Sequence, residues 1–332
     1  MIRLVECVEL LDELRAFWRS PMAARYVAGW NESRIKVTGV PERMDLALSE
    51  RHVTERASLY WVKDEMRALA EYAAARMPRQ ALVESDLPTP FGFAMFERPV
   101  VIMDVRDKAL NIGAISWQLI AFTDQPEKVG VVRRFETDAD MAGITRAGVE
   151  VAFYSDESEP GAYEVPSNFT ALPRLLFLHH EEYGFDRPVV TDEMLATLVR
   201  PLDLPPPNEE TLASFRLQRQ FPLALWTLIQ QPLSVVTEAA PHRTVARRLE
   251  RKGSPLAHST IRIVTLRRVV HRAAEGEAGG VEWSHRWLVS GHWRNQWLPS
   301  RSLHRLQWID AFVKGPADKP LVVKKTVHKL VR

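Results

Sequence analysis

Apolar positions near the start of the chain recur at helical spacing. Leu4, Val8, Leu11, Leu14, Phe17 and Trp18 predict an amphipathic helix over roughly residues 5–19. A second helix is predicted over 59–77, with Trp61, Met66, Leu69 and Tyr72 on one side, Lys63, Arg67 and Glu71 elsewhere, and Pro78 as its stop. From residue 91 the period shortens. The runs FGFAMF, PVVIMDV, IGAISWQLIAF, KVGVVRRF and GVEVAFYS are rich in β-branched and aromatic residues and are broken by polar or turn-forming ones, which predicts an antiparallel sheet. Two stretches then read as linkers: SDESEPGAYEVPSN at 155–168 and PLDLPPPNEE at 201–210, whose prolines exclude the interior of a helix or strand. Taking the second as a domain boundary divides the chain into an acidic α+β region, 1–205, and a basic C-terminal domain, 206–332.

Beyond that boundary Asn208 is placed to cap a helix whose first turn holds Glu209 and Glu210, both suited to the positive end of the helix dipole. This helix runs through FRLQRQFPLALWTLIQQ, with a kink or break expected at Pro222. Pro241 stands where a proline at the first helical position belongs. His242–Lys252 reads as a short helix that Gly253 ends. Four β-like runs follow: STIRIVTLRRVVHR, VEWSHRWLVSGHWRNQW, HRLQWIDAFV and LVVKKTVHKL, joined by the turns AAEGEAGG, LPSRS and KGPADKP. The fold class expected is therefore α+β: N-terminal helices with an antiparallel sheet, then two helices and a four-stranded antiparallel meander.

Composition narrows the setting. With 332 residues, 46% hydrophobic and 26% charged, the chain is an ordinary globular one of two units. The single cysteine, Cys7, excludes a disulfide framework and a cysteine zinc cluster and fits a reducing cytoplasm. No stretch approaches 18 consecutive apolar residues, and MIRLVECVELLDELRAFW mixes charges with apolar residues unlike a signal peptide, so no membrane association is expected. The net charge of +2 hides an asymmetry: residues 241–332 hold 19 Lys and Arg against 6 Asp and Glu, and residues 1–240 hold 25 against 36. Residues 283–308 carry five of the ten tryptophans together with His285, Arg286, His292, Arg294, Arg301, His304 and Arg305. A polyanion is the partner this pattern predicts.

Two patterns refine it. Arg243, Arg247 and Arg251, flanked by Arg248 and Lys252, repeat every four residues and set a cationic row on one helix face, able to meet successive phosphates or the acidic N-terminal region. In 282–297 strand alternation puts Trp283, His285, Trp287, Trp293 and Trp297 on one face and Arg286, His292, Arg294 and Gln296 on the other, provided the strand is uninterrupted. The tryptophans are then core and the cations and amide are exposed; a bulge at Ser290 and Gly291 would reverse the division midway.

The segments RRLERKG, IRIVTLRR, HRWLVSGHWRNQWLPS and HRLQWIDAFVKGPADKPL resemble a pattern in a family of actinobacterial and actinobacteriophage proteins. GHWRNQW and VKGP are its most specific parts, and the likeness covers roughly 240–325. It implies a source of that kind and no particular activity. The order of two helices and four antiparallel strands also resembles RelE-type ribonuclease toxins, a fold-level analogy without a shared motif.

These features lead to a nucleic-acid-binding protein, of RNA or DNA, acting through Arg243, Arg247, Arg248, Arg251, Arg286, Gln296, Arg301 and Arg305. One alternative is a metal-independent ribonuclease. There His292 with His285 or His304 would supply the acid and base, and Arg294 and Arg305 would hold the phosphorane. Another is a module that binds an acidic protein. No cofactor or metal is expected. His179, His180, Glu181 and Glu182 are metal-capable types without a metal-site spacing and read as a polar helix end, and Asp104, Asp107, Asp138, Asp140, Asp156, Glu157 and Glu159 do not match a calcium loop. No phosphate-binding glycine loop is present.

Overall fold

The structure is a computed structural model; it describes residues 1–38, 46–78, 82–104, 108–123, 131–133, 144–162, 169, 172–185, 208–267, 284–299, 302–316 and 319–322. The helices are α1 (Cys7–Trp18), α2 (Pro21–Thr38), α3 (Leu46–Arg56), α4 (Asp64–Ala74), α5 (Glu209–Ile229) and α6 (Arg243–Arg251). The strands are β1 (Ser58–Val62), β2 (Phe91–Met103), β3 (Ala109–Thr123), β4 (Val131–Arg133), β5 (Ile144–Asp156), β6 (Leu175–Gly184), β7 (Ser234–Ala239), β8 (Ile261–Leu266), β9 (Arg286–Val289), β10 (His292–Leu298), β11 (Leu303–Ile309), β12 (Phe312–Lys314) and β13 (Leu321–Val322). The class is mixed α+β, and the chain divides into two units, Met1–Leu266 and Arg267–Arg332. The boundary expected at 205/206 lies outside the described residues; Asn208–Leu266 belongs to the first unit.

The first unit is built on one sheet with the order β6-β5-β3-β2-β1-β8-β7, with β4 paired to β3. From β2 to β6 the pairs are antiparallel, in line with the alternating runs that begin at residue 91. At the centre β1 pairs in parallel with both β2 and β8. This corrects the helix expected over 59–77. Ser58-Leu-Tyr-Trp-Val62 is apolar on both faces, as a strand buried on both sides requires, and four of its five residues are buried. Lys63 is extended and stands before α4, which occupies the rest of the predicted helix.

Helices cover both faces. Leu59, Trp61, Phe93 and Met95 pack with Val8, Leu11 and Leu14 of α1 and with Val245 and Leu249 of α6. On the other face Phe96 meets Phe221 of α5 at 5.3 Å between ring centroids, and Trp117 lies between Tyr60 and Trp226 at 5.4 and 5.5 Å. Strand alternation divides neighbours such as Met95 and Phe96 between the two cores. Asn208 caps α5, its side-chain oxygen accepting from the Thr211 N–H at 2.8 Å. The helix passes through Pro222 without a break. Pro241 lies one residue outside α6, whose N-cap is His242, and Gly253 follows with a φ of 68°, the left-handed conformation suited to glycine after a helix. Among the described residues no helix is long and apolar enough to cross a membrane.

The second unit holds meander-like sheets. β10 and β11 form an antiparallel hairpin; β9 pairs with β12 in antiparallel and with β13 in parallel sense. β8, read as the first strand of this group, is part of the large sheet. The run 281–297 is interrupted at Ser290–Gly291, so β9 and β10 belong to different sheets. A Cβ on Gly291 would stand 2.5 Å from the Trp308 ring, so the absence of a side chain there lets the indole approach the backbone.

Candidate nucleic-acid interface

Register decides which side chains of the hairpin share a face. His292 stands opposite Ile309, Arg294 opposite Gln307, Gln296 opposite Arg305 and Leu298 opposite Leu303. Directly paired residues of an antiparallel ladder project to the same side. One face therefore presents His292, Arg294, Gln296, Leu298, Arg305, Gln307 and Ile309, and none of these is acidic. Arg294 and His292 are exposed, while Gln296, Arg305 and Gln307 are half-buried. An Arg294 guanidinium N–H donates to Gln307 Oε1 at 3.1 Å across the strands. Gln296 Nε2 donates to the Trp297 carbonyl at 2.9 Å, and His292 Nδ1 lies 3.0 Å from the Ser290 carbonyl.

The reverse face carries the aromatics. Trp308 is 3% exposed, packs edge-on against Trp293 at 5.2 Å, and donates from Nε1 to Asp310 at 2.9 Å. Towards the turn, Trp297 is 44% exposed and lies 4.8 Å from the exposed His304 ring. The expectation that the tryptophans of 282–297 are core therefore fails for Trp297, while Trp287 and Trp293 are half-buried; the buried indole, Trp308, lies on the partner strand.

This register separates residues that the sequence grouped. His292 and His304 are on opposite faces, because 292 is an even position of β10 and 304 pairs with the odd position 297. They do not form the acid and base pair expected of them. His285 precedes β9, with its ring 5.8 Å from Trp287 and Ser284 Oγ 3.0 Å from its Nδ1. Arg286 is on β9, in another sheet, and donates from Nε to the Lys319 carbonyl at 2.7 Å, so it does not continue the row of Arg294 and Gln296. Arg301 and Trp283 lie outside the described residues. Gln307 is not singled out by the sequence; the pairing of β10 with β11 brings it opposite Arg294.

The second cationic feature is in the first unit. Arg243, Arg247, Arg248 and Arg251 are exposed on α6, whose Val245 and Leu249 are buried. Arg248 forms an ion pair with Glu9 of α1, so part of the row meets the acidic N-terminal region. Arg251 Nε donates to the Arg247 carbonyl at 3.3 Å. Counted by unit, residues 267–332 hold 13 Lys and Arg against 5 Asp and Glu, and residues 1–266 hold 31 against 37. The excess of positive charge thus belongs to the unit that carries the hairpin.

The candidate metal ligands are placed otherwise than expected. The run Leu176–Glu182 is part of strand β6 and no helix end. His179 stacks on Phe153 at 4.8 Å and hydrogen-bonds Gln218 of α5, and Glu181 pairs with Arg219 at 3.1 Å. Burial pushes the His179 imidazole down to about 3, so it is neutral at physiological pH. His180 faces Trp30 at 6.2 Å. Asp156 is buried and held by Arg174 through contacts of 2.7 and 2.8 Å. Asp107, Asp138 and Asp140 are outside the described residues, and among those described no cluster of three or more metal-capable groups occurs.

No family model matches the chain, and no curated protein matches it. Among solved structures, the crystal structure of AcrVA2 aligns with 80% of this chain and 76% of its own, at 11% identity and a TM-score of 0.36.

Proposed function

We propose that this protein binds nucleic acid through the outward face of the β10–β11 hairpin. The observation that carries the reading is the convergence of Arg294, Arg305 and His292 with the amides of Gln296 and Gln307 on one face, with no carboxylate among the described ladder residues of that face, in a unit with an excess of basic residues. Arginine forks and amide side chains are the groups that meet phosphate oxygens and base edges. The reading is binding rather than cleavage: His292 and His304 stand on opposite faces of the hairpin, and His285 precedes β9, a strand of the other sheet, so neither pairing supports proton transfer at one phosphodiester. A protein with this role would act where nucleic acid is found, in a cytoplasm of actinobacterial or phage origin.

The test is retention of the full-length protein on mixed-sequence nucleic acid across a series of salt concentrations. Binding should weaken steeply with salt. An Arg294→Ala/Arg305→Ala variant should bind more weakly, with the slope of log affinity against log salt reduced by about one for each of the two arginines that meets a phosphate. Failure of the parent protein to bind DNA or RNA at low salt, or unchanged binding by the double variant, overturns the proposal.

A further inference from the structure

We infer that the polyanion met by this face is B-form duplex DNA, contacted from its major groove; the inference rests on the nucleic-acid reading above. Width is the first argument. Among the described residues the sheet has two strands, and paired strands lie about 4.8 Å apart. With its side chains, such a ribbon fits the B-DNA major groove of about 12 Å, whereas the minor groove, of about 6 Å, is too narrow. The major groove of A-form RNA is deep and narrow and closed to side chains.

The second argument is the position of the aromatics. Proteins that hold single strands stack unpaired bases on aromatic rings along a cationic path. Here Trp293, Trp297 and Trp308 are all on the reverse face, and among the described residues of the ladder no Trp, Tyr or Phe shares the face of Arg294 and Arg305. A cationic face without a stacking platform suits a partner whose bases are already stacked on one another.

Residue chemistry and spacing supply the third. Arg294 presents a planar fork of the kind that binds guanine O6 and N7, and Gln296 and Gln307 present amides of the kind that bind adenine N6 and N7. The hydrogen bond from Arg294 to Gln307 restrains both side chains before any contact with DNA. Positions 294 and 296 are two residues apart along a strand, about 6.8 Å, which is close to two base steps of about 3.4 Å. Arg305, beside Gln296, and His292, at the other end of the ladder, are placed for the flanking phosphates.

The experiment compares fluorescence anisotropy of the full-length protein with four labelled probes of one guanine-rich sequence: duplex DNA, duplex RNA, single-stranded DNA and single-stranded RNA. A fifth probe, duplex DNA with 7-deazaguanine in place of guanine, lacks the N7 acceptor in the major groove and leaves the minor groove intact. Duplex DNA should bind at least roughly tenfold more tightly than the other three natural probes, and 7-deazaguanine should weaken it several-fold or more. Arg294→Ala and Arg294→Lys should both lose the sensitivity to 7-deazaguanine, and Arg294→Lys, which keeps the charge, should keep the salt slope. Equal or tighter binding of RNA or of a single strand, or indifference of the parent protein to 7-deazaguanine, overturns the major-groove assignment and leaves the nucleic-acid reading standing. No binding to any probe at low salt removes both.

Discussion

Truncation of Trp308 and of Trp297 should separate two tryptophans of similar sequence context by about 2 kcal/mol. Trp308 is 3% exposed, lies against the bare backbone of Gly291 and the edge of Trp293, and has its indole N–H bonded to Asp310. A tryptophan side chain buries on the order of 200 Å², which at about 25 cal/mol per Å² corresponds to about 5 kcal/mol of transfer. Measured truncations of core aromatics to alanine cost about 3–5 kcal/mol. Trp297 is 44% exposed, so little more than half of that area is removed from water. About 2–3 kcal/mol is expected there. The second unit spans 66 residues, a size at which 3–5 kcal/mol is most of the available stability. The assay is hydrogen–deuterium exchange of peptides covering 286–309 in the full-length protein. In Trp308→Ala protection should fall by about several hundredfold or more, and in Trp297→Ala by roughly thirtyfold to a hundredfold. A loss in Trp297→Ala equal to or greater than that in Trp308→Ala would refute the face assignment and the interface built on it.

Gly92→Ala would place a Cβ 2.0 Å from the Trp117 ring, which is fully buried between Tyr60 and Trp226; overpacking of this kind costs about 1–3 kcal/mol or more, to be seen as a lower thermal midpoint. Arg174→Ala strips the guanidinium from Asp156, which is 1% exposed and which burial would otherwise raise; the pair holds that carboxyl below its ordinary range. With only the Ser158 N–H and hydroxyl left on that carboxylate among the described residues, the loss should cost about 2–3 kcal/mol in urea unfolding at pH 7, and an unchanged midpoint would contradict the ion pair. His179 titrates at about 3 in the folded chain against 6.5 ordinarily, so between those values the unfolded chain holds a proton that the folded chain lacks. Stability should therefore fall as pH drops below about 6.5, by up to about 2 kcal/mol by pH 5. His179→Gln should remove that part of the acid sensitivity; equal pH dependence in the two proteins would show that the imidazole titrates normally.

Local signals carried far where the chain's own periodicity decides conformation. The helix near 5–19, the cap at Asn208, the end of α6 at Gly253 and the antiparallel runs from 91 are all visible as spacing or as a capping residue. The failure at 59–63 has a definite cause. Leu59 to Val62 are apolar without a gap, and such a run fits a helix or a doubly buried strand equally well; the parallel partners β2 and β8 select the strand, and β8 lies some 200 residues away. For the hairpin, alternation correctly placed Arg294 and Gln296 together and away from Trp293 and Trp297. It did not reveal that His304 joins the tryptophans, because that depends on pairing between strands.

The class of the fold, the ends of several elements and the concentration of cations, amides and tryptophans near the C-terminus are legible along the chain. Long-range pairing is what makes β1 central, parts β9 from β10 at Gly291, and gives the cations of β10 a common face with Gln307 rather than with Arg286. Helix caps and periodicity act within a few residues, so the chain displays them directly. The parity of a face across two strands depends on register, and register follows from which strands meet and where their turn falls.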